Sequence, residues 1–382
     1  MNTSNIHSQS NSRLLSALLE VRQAIYSHLD RHVHAFLSEG KLRMLICLEP
    51  NLGDHEHAGT ERLVPGDHAR STDPQWARRL GSSWGPHWEC EEHGTSQKQK
   101  KDSDHIYNLR LLCKKMFLDV CDIVSEVSSI NITDLHTLES LVSQPHGAQN
   151  PELFPLTVCK HVGQRIHNLN ITLRLPLAFY KDLEDNQTGT AASSSTSISS
   201  MTIKHICNTW TRFWSITAGL EQLHCLHVWL DHEDPSSWSV VKERLALGYL
   251  FADLGSQMRA RSSRKSFPQL HIIFNLPKLH PGIAKEETHF LGNTSPPTPV
   301  TIERRCRQRF HCLKHEGGVL EIKYMPDFPI MHELADFWAD DSNGELAITF
   351  EECEDMEKQM WLRGEDVEQA MLEMIPDFNV CY

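Results

Sequence analysis

Four short runs in the middle of the chain carry the pattern of β-strands, and each is set between helix-like stretches. They are Ser-Ile-Asn-Ile-Thr at 129–133, His-Asn-Leu-Asn-Ile-Thr-Leu-Arg-Leu at 167–175, Cys-Leu-His-Val-Trp-Leu at 225–230 and Gln-Leu-His-Ile-Ile-Phe-Asn-Leu at 269–276. Alternation with period two marks a strand with one buried face, while apolar residues three and four apart line a helix. The run centres near 131, 171, 228 and 273 lie 40, 57 and 45 residues apart. Those gaps are long enough for helical crossovers, so the pattern predicts a mixed α/β layer of parallel strands.

The segments between the runs fit that scheme. Helices are predicted over 135–143, over 203–223 with Trp210, Phe213 and Trp214 on the apolar side, and from Pro235 to about Leu250. The Ser-, Thr- and Ala-rich segment 188–202 reads as a surface loop. Several strands follow an x-Leu-x-x-Leu pattern, and the layer resembles an irregular leucine-rich-repeat array, with spacings longer than true repeats. Beyond Pro296-Pro-Thr-Pro299, the runs 300–310 and 318–324 are expected to pair as a closing hairpin, followed by a helical period over 351–375 that Gly364 interrupts.

Ahead of the layer, Leu14, Leu18, Val21, Ile25 and Leu29 step by three or four residues and line one face of a helix. Two apolar runs, 32–37 and 41–48, flank Ser38-Glu-Gly40 and predict a hairpin. The polar stretch 51–101 carries Trp76, Trp84 and Trp88 in its middle, which predicts an ordered insert between looser loops. The most regular helical pattern runs over 105–127 through Ile106, Leu109, Leu112, Met116, Val120, Ile123 and Val127.

Two of these helices carry a resemblance. Leu-Leu-Ser-x-x-x-Glu-Val-Arg-x-x-Ile-Tyr-x-x-Leu at 14–29 and Leu-Leu-Cys-Lys-Lys-Met-Phe-Leu-Asp-Val at 111–120 are similar to two hallmarks of the F-box-like proteins that filamentous fungi carry in large families of unknown function. Leu18 stands where that family's first motif has proline. The resemblance implies an F-box-like helical and hairpin unit over 1–127 with an interaction platform behind it; the residues themselves make that platform a leucine-rich-repeat-like α/β domain over 128–332, followed by an acidic helical region over 333–382. It further implies that Leu14, Leu18, Val21, Ile25 and Leu29 contact a Skp1-like adaptor, and that the α/β portion chooses a protein target for a cullin-type ubiquitin ligase. The residues alone leave a second reading open, in which the chain is an interaction or structural protein and the stripe is ordinary core.

Composition narrows the classes further. The 382 residues hold no apolar run of membrane-spanning length, and residues 1–11 lack the apolar centre of a signal peptide. The eleven cysteines are odd in number and include no Cys-x-x-Cys pair, which predicts a reduced chain in the cytoplasm or nucleus. The net charge of −13 resides entirely in residues 333–382, which hold 15 acidic and 2 basic residues; the rest is balanced, so no attraction to nucleic acid is expected.

Candidate chemistry is sparse. No Gly-x-Ser-x-Gly, phosphate loop or dinucleotide fingerprint occurs, so neither catalytic residues nor a cofactor are expected. The sets His55/His57, His87/Cys90/His93 and His224/His227 have ligand-like spacing, yet a zinc ion needs four convergent ligands and none of these sets contains four. They are read as loop histidines, with no metal. Asp231-His-Glu-Asp234 follows a strand, where parallel sheets often bind ligands, but reads as a turn and cap before the next helix. Arg259, Arg261, Arg264 and Lys265, and likewise Arg304, Arg305, Arg307 and Arg309, read as solvated faces. The alternative for the second set is attraction to the acidic C-terminal region.

Overall fold

A computed structural model describes residues 17–18, 21–22, 32–38, 41–48, 73–95, 129–142, 166–189, 198–217, 220–262, 269–291, 300–315, 318, 320–325, 327–331, 349–367 and 369–370. The chain is mixed α/β. Strands β1 (His32–Ser38) and β2 (Lys41–Ile46) form the hairpin; α1 (Pro74–Leu80) and α2 (Trp88–Thr95) form the insert. Then come β3 (Ser129–Ile132), α3 (Leu135–Val142), β4 (Asn168–Leu175), α4 (Leu177–Thr188), α5 (Ile198–Thr211), α6 (Phe213–Thr217) and β5 (Cys225–His232). They are followed by α7 (Glu243–Ala246), α8 (Gly248–Ser262), β6 (His271–Pro277), β7 (Val300–Arg305), β8 (Phe310–Lys314), β9 (Leu320–Tyr324) and α9 (Phe350–Arg363).

Seven strands make one sheet in the order β2-β1-β3-β4-β5-β6-β7. β2 pairs antiparallel with β1, and the other six strands run parallel in chain order. The hairpin expected in the front unit therefore edges the same sheet as the strands of the predicted layer. Because the order never reverses, right-handed crossovers place α3 to α8 on one side of the sheet.

The strand registers show what that arrangement does to the side chains. Val33, Ile130, Leu169, Leu226, Ile272 and Val300 form one row across the six parallel strands, and Ala35, Ile132, Ile171, Val228, Phe274 and Ile302 form the next. Both rows face the helices and join the main core with Phe179, Tyr180, Trp210, Phe213, Trp214, Trp238 and Phe251. The interleaved rows face the other way: His34, Asn131, Asn170, His227, Ile273 and Thr301, then Thr172, Trp229, Asn275 and Glu303. Parallel strands covered on both faces read as continuous apolar runs; alternation here reports one apolar face packed by α3 to α8 and one more polar face free of those helices.

Several helical and C-terminal expectations need correction. The helix expected over 203–223 starts earlier, breaks at Arg212 and ends at Thr217. No helix opens at Pro235: a 3₁₀ turn at Trp238–Val240 and α7 precede the longer α8, which runs past Leu250 to Ser262. The run 300–310 does not form one arm of a hairpin. Its first part is β7, which extends the main sheet, and β8 pairs with β9 instead. The expected 105–127 helix and most of the 14–29 helix lie outside the described residues.

Buried ions fasten the far edge of the sheet. Glu243 at the start of α7 has no exposed surface and accepts from Arg304 Nη1 at 2.6 Å and Nη2 at 2.9 Å, from Trp238 Nε1 at 2.8 Å and from Phe290 N at 3.0 Å. Arg304 is thus on the helix side of β7, in a bidentate pair that satisfies a buried carboxylate. At the C-terminal end, Thr349 and Glu352 form a capping box for α9. Glu357 on that helix accepts the backbone N–H groups of Ile330 and Met331 at 2.6 and 2.7 Å. Burial raises its carboxyl above the ordinary range.

The two-faced sheet predicts a contrast between neighbouring positions. Leu226→Ala, on the helix side, should cost about 2–5 kcal/mol in urea unfolding. Thr301→Ala, on the opposite side, should stay within about 0.5 kcal/mol. Equal losses at the two positions would contradict the one-sided packing.

Candidate functional site

The hairpin and the insert together build the densest group of chemically capable side chains among the described residues. Strand alternation puts His32, His34 and Phe36 on the face of β1 that is free of the crossover helices α3 to α8. His34 pairs across with Leu45, and the Cys47 N–H donates to the His32 carbonyl at 2.9 Å, so Cys47 emerges on that same face. In the insert, Asp73 caps α1 by accepting from Gln75 N at 2.8 Å, with Pro74 in the first turn. A 3₁₀ turn at Gly85–His87 then leads into α2, and Gly85 takes the positive φ of 58° that the bend requires.

This geometry brings His34, Cys47, His87 and Cys90 together, one ligand-capable atom from each lying within 4.8 Å of all the others. Cys47 Sγ is 3.3 Å from His87 Nδ1 and 3.9 Å from Cys90 Sγ, and the Leu48 N–H donates to Cys90 Sγ at 3.4 Å. Trp84 stacks on the His34 ring at 4.8 Å and meets Phe36 edge-on at 5.3 Å. Phe36, Leu45 and Trp84 pack with the two cysteines as one buried cluster. Among the described residues neither ring nitrogen of buried His34 makes a hydrogen bond. The Cys47 contact, with help from His87 and the Leu48 N–H, holds the Cys90 thiol far below its ordinary range. Burial pushes the His34 imidazole down.

The reading of His87, Cys90 and His93 as loop residues is corrected in two respects. His87 and Cys90 do converge, and the two further groups come from the hairpin, 40 to 56 residues earlier. His93 is not one of the four. His34 and Cys47 escaped notice because their closeness is set by strand pairing and an insert; the one available signal was a histidine and a cysteine on the same face of a predicted hairpin.

A second cluster occupies the C-terminal ends of the strands. Arg307 is almost fully buried. Its Nε donates to Asp231 Oδ1 at 2.7 Å, and its Nη2 donates to the carbonyls of His232 and Asp234 at 3.0 Å each. Asp327 lies 3.5 Å away and the Ser236 carbonyl accepts from Nη1. Arg305 stacks over Trp229 at 4.9 Å, and Arg174 donates to the Leu80 carbonyl, as does Gln308 at 3.0 Å. The last turn of α1 is thereby held by side-chain donors at its unsatisfied carbonyl. The arginine run 304–309 is therefore not a solvated edge: Arg307 and Arg309 are among the most buried side chains, and Arg305 and Arg304 point to opposite faces. Arg309 does reach the acidic region's border through the Pro329 carbonyl. Asp231 sits in this ionic network, while Asp234 accepts the Leu177 N–H at the start of α4 at 3.1 Å.

Of the stripe expected to meet an adaptor, Leu18 and Val21 are described and both are exposed, at 73% and 50%. Arg22 beside them is buried and donates to the Ala17 carbonyl at 2.7 Å. Leu14, Ile25 and Leu29 lie outside the described residues. No helix among them is long and apolar enough to cross a membrane. No protein-family model matches the chain, and no curated protein or solved structure is significantly similar to it.

Two histidines in the ionic cluster make a pH prediction. Burial, then the neighbouring Arg307, pushes His232 and His311 each down to about 4, against about 6.5 when unfolded. Their neutral forms are favoured in the fold, so this contribution is full above about pH 6.5 and is lost as the pH falls toward 4. The urea midpoint should drop between pH 7 and pH 5, and the drop should be smaller in His311→Gln. Comparing the two proteins removes the contributions of Glu233 and Glu357, whose raised carboxyls act in the opposite direction. Identical slopes would contradict the assignment.

Proposed function

We propose that this chain is an intracellular protein-interaction scaffold of the F-box-like kind, a substrate receptor without catalytic activity of its own. In this reading its opening helix seats on a Skp1-like adaptor, and the helix-free face of the sheet selects the target. The observation that carries the first half is the exposure of Leu18 and Val21. The Leu18 carbonyl accepts the Val21 and Arg22 N–H groups at a helix start. Leu18 and helical Val21 are turned to solvent while the neighbouring arginine is buried, an arrangement that suits a helix laid into a partner's groove. A stripe that served only as core would bury both.

The second half rests on the architecture. Strands beginning at 129, 168, 225, 271 and 300 are 39, 57, 46 and 29 residues apart and add to the sheet in order. That is the logic of a leucine-rich-repeat layer, in which each strand contacts its sequence neighbours and one face is left for a partner. The row Asn168–Cys225–His271, half-buried except at exposed His271, and the half-buried row Asn170–His227–Ile273, with Trp229 beside it, offer donors, acceptors and an aromatic anchor.

The test is co-purification of the tagged full chain from a eukaryotic lysate. The wild-type chain should retain a Skp1-like adaptor, and Leu18→Asp with Val21→Asp should lose it without changing the melting temperature, since exposed positions contribute little to stability. Failure of the wild-type chain to retain an adaptor, or a melting temperature lowered by several degrees in the variant, would overturn the adaptor reading.

A further inference from the structure

We infer that His34, Cys47, His87 and Cys90 bind one zinc ion in a closed, tetrahedral Cys₂His₂ site that staples the insert to the edge of the sheet.

The distances fit a single ion. Zinc–sulfur bonds of about 2.3 Å and zinc–nitrogen bonds of about 2.05 Å at tetrahedral angles put two thiolates about 3.8 Å apart, and a thiolate and an imidazole nitrogen about 3.6 Å apart. Cys47 Sγ and Cys90 Sγ are 3.9 Å apart, and Cys47 Sγ and His87 Nδ1 are 3.3 Å apart. The sulfur–sulfur separation is far beyond the roughly 2.05 Å of a disulfide. A two-iron cluster held by two histidines and two cysteines would place the histidines on one iron and the cysteines on the other. Here a cysteine and a histidine are in contact.

The donor chemistry fits as well. Two thiolates and two neutral imidazoles match the softness and geometry zinc prefers, and with the dication they sum to zero charge, which makes burial tolerable. A bound ion supplies the partner that the ring of His34 lacks in its buried position. The Leu48 N–H aimed at Cys90 Sγ is the kind of outer hydrogen bond that steadies a metal-bound thiolate. All four positions are filled by protein, so the site leaves no open coordination position for substrate and is structural.

Its placement explains what the ion would do. The insert's two helices are short; among the described residues they are also anchored by Ala77, Leu80 and Trp76 against β8 and β9, by Trp84 against Phe36 and Leu45, and by the hydrogen bonds at the Leu80 carbonyl. Residues 49–72 separate Cys47 from the insert in the sequence. A metal crosslink between such distant positions fixes the insert against β1 and so sets one border of the sheet face free of α3 to α8.

The test uses the untagged full chain, with metal content measured by elemental mass spectrometry and the apoprotein reloaded with cobalt(II). The result expected is about one zinc per chain, visible cobalt absorption bands of tetrahedral intensity with a thiolate charge-transfer band, and a rise in hydrogen exchange of residues 73–95 on metal removal, with β4 to β6 unchanged. Cys90→Ser and Cys47→Ser should lose the zinc, and His93→Ala should keep it. His87→Cys, which keeps four ligands, should retain zinc and intensify the charge-transfer band, which separates ligand loss from misfolding. A cooperatively folded wild-type chain with substoichiometric zinc and no tetrahedral cobalt spectrum would overturn the site, as would unchanged zinc in both serine variants or a Cys47–Cys90 disulfide in peptide maps.

Discussion

Everything in this molecule depends on parallel strands that add to the sheet in chain order. A parallel connection must cross over the sheet, and its handedness is fixed. When the order never reverses, each crossover helix falls on the same side. Among the described residues α3 to α8 pack on one face, while the other carries the insert with its two short helices at the β1 border. The side chains obey: the row from Val33 to Val300 is apolar throughout and the row from His34 to Thr301 is mostly polar. Neither face could exchange roles with the other without a one-residue slip in every register.

The ends of that sheet need separate fastening, because a layer whose elements contact only their neighbours has open borders. At the β7 border, Glu243 and Arg304 form a buried bidentate pair. At the strand C-termini, Arg307 gathers Asp231, the carbonyls of His232 and Asp234 and the nearby Asp327. Removing one partner of such a pair leaves an uncompensated buried charge, so these contacts hold register as well as stability. At the opposite border the insert lies on β1 and β2 through Phe36, Trp84 and the His/Cys group. What is left between these fastenings is the half-exposed centre around Asn170, His227 and Trp229, bounded on both sides.

Much of the layer was legible in the amino-acid order. The alternation of Leu169, Ile171 and Leu173 with Asn168, Asn170 and Thr172 announced both a strand and its single buried face, and all four predicted strands form. Local pattern was a poor guide where long-range pairing decides. Phe310 and its neighbours looked like a continuation of the 300–309 run, yet β7 finds a parallel partner in β6 and leaves β8 to pair with β9. Arginines 304, 305, 307 and 309 have the composition of a solvated edge, and only the distant positions of Glu243 and Asp231 turn them inward. Likewise His87 and Cys90 carried half of a ligand set, whose other half, His34 and Cys47, sits on a hairpin that no spacing rule connects to them.

The claim that the sheet has one sealed and one accessible face can be tested directly by hydroxyl-radical footprinting of the full chain, read by mass spectrometry at single residues. Trp229 and Ile273, on the helix-free face, should oxidise readily, while Trp210, Trp214 and Trp238 on the helix side should remain protected until the chain unfolds. Oxidation of Trp229 as slow as that of Trp238 would mean that both faces are covered, and the account of a one-sided interaction layer would fail.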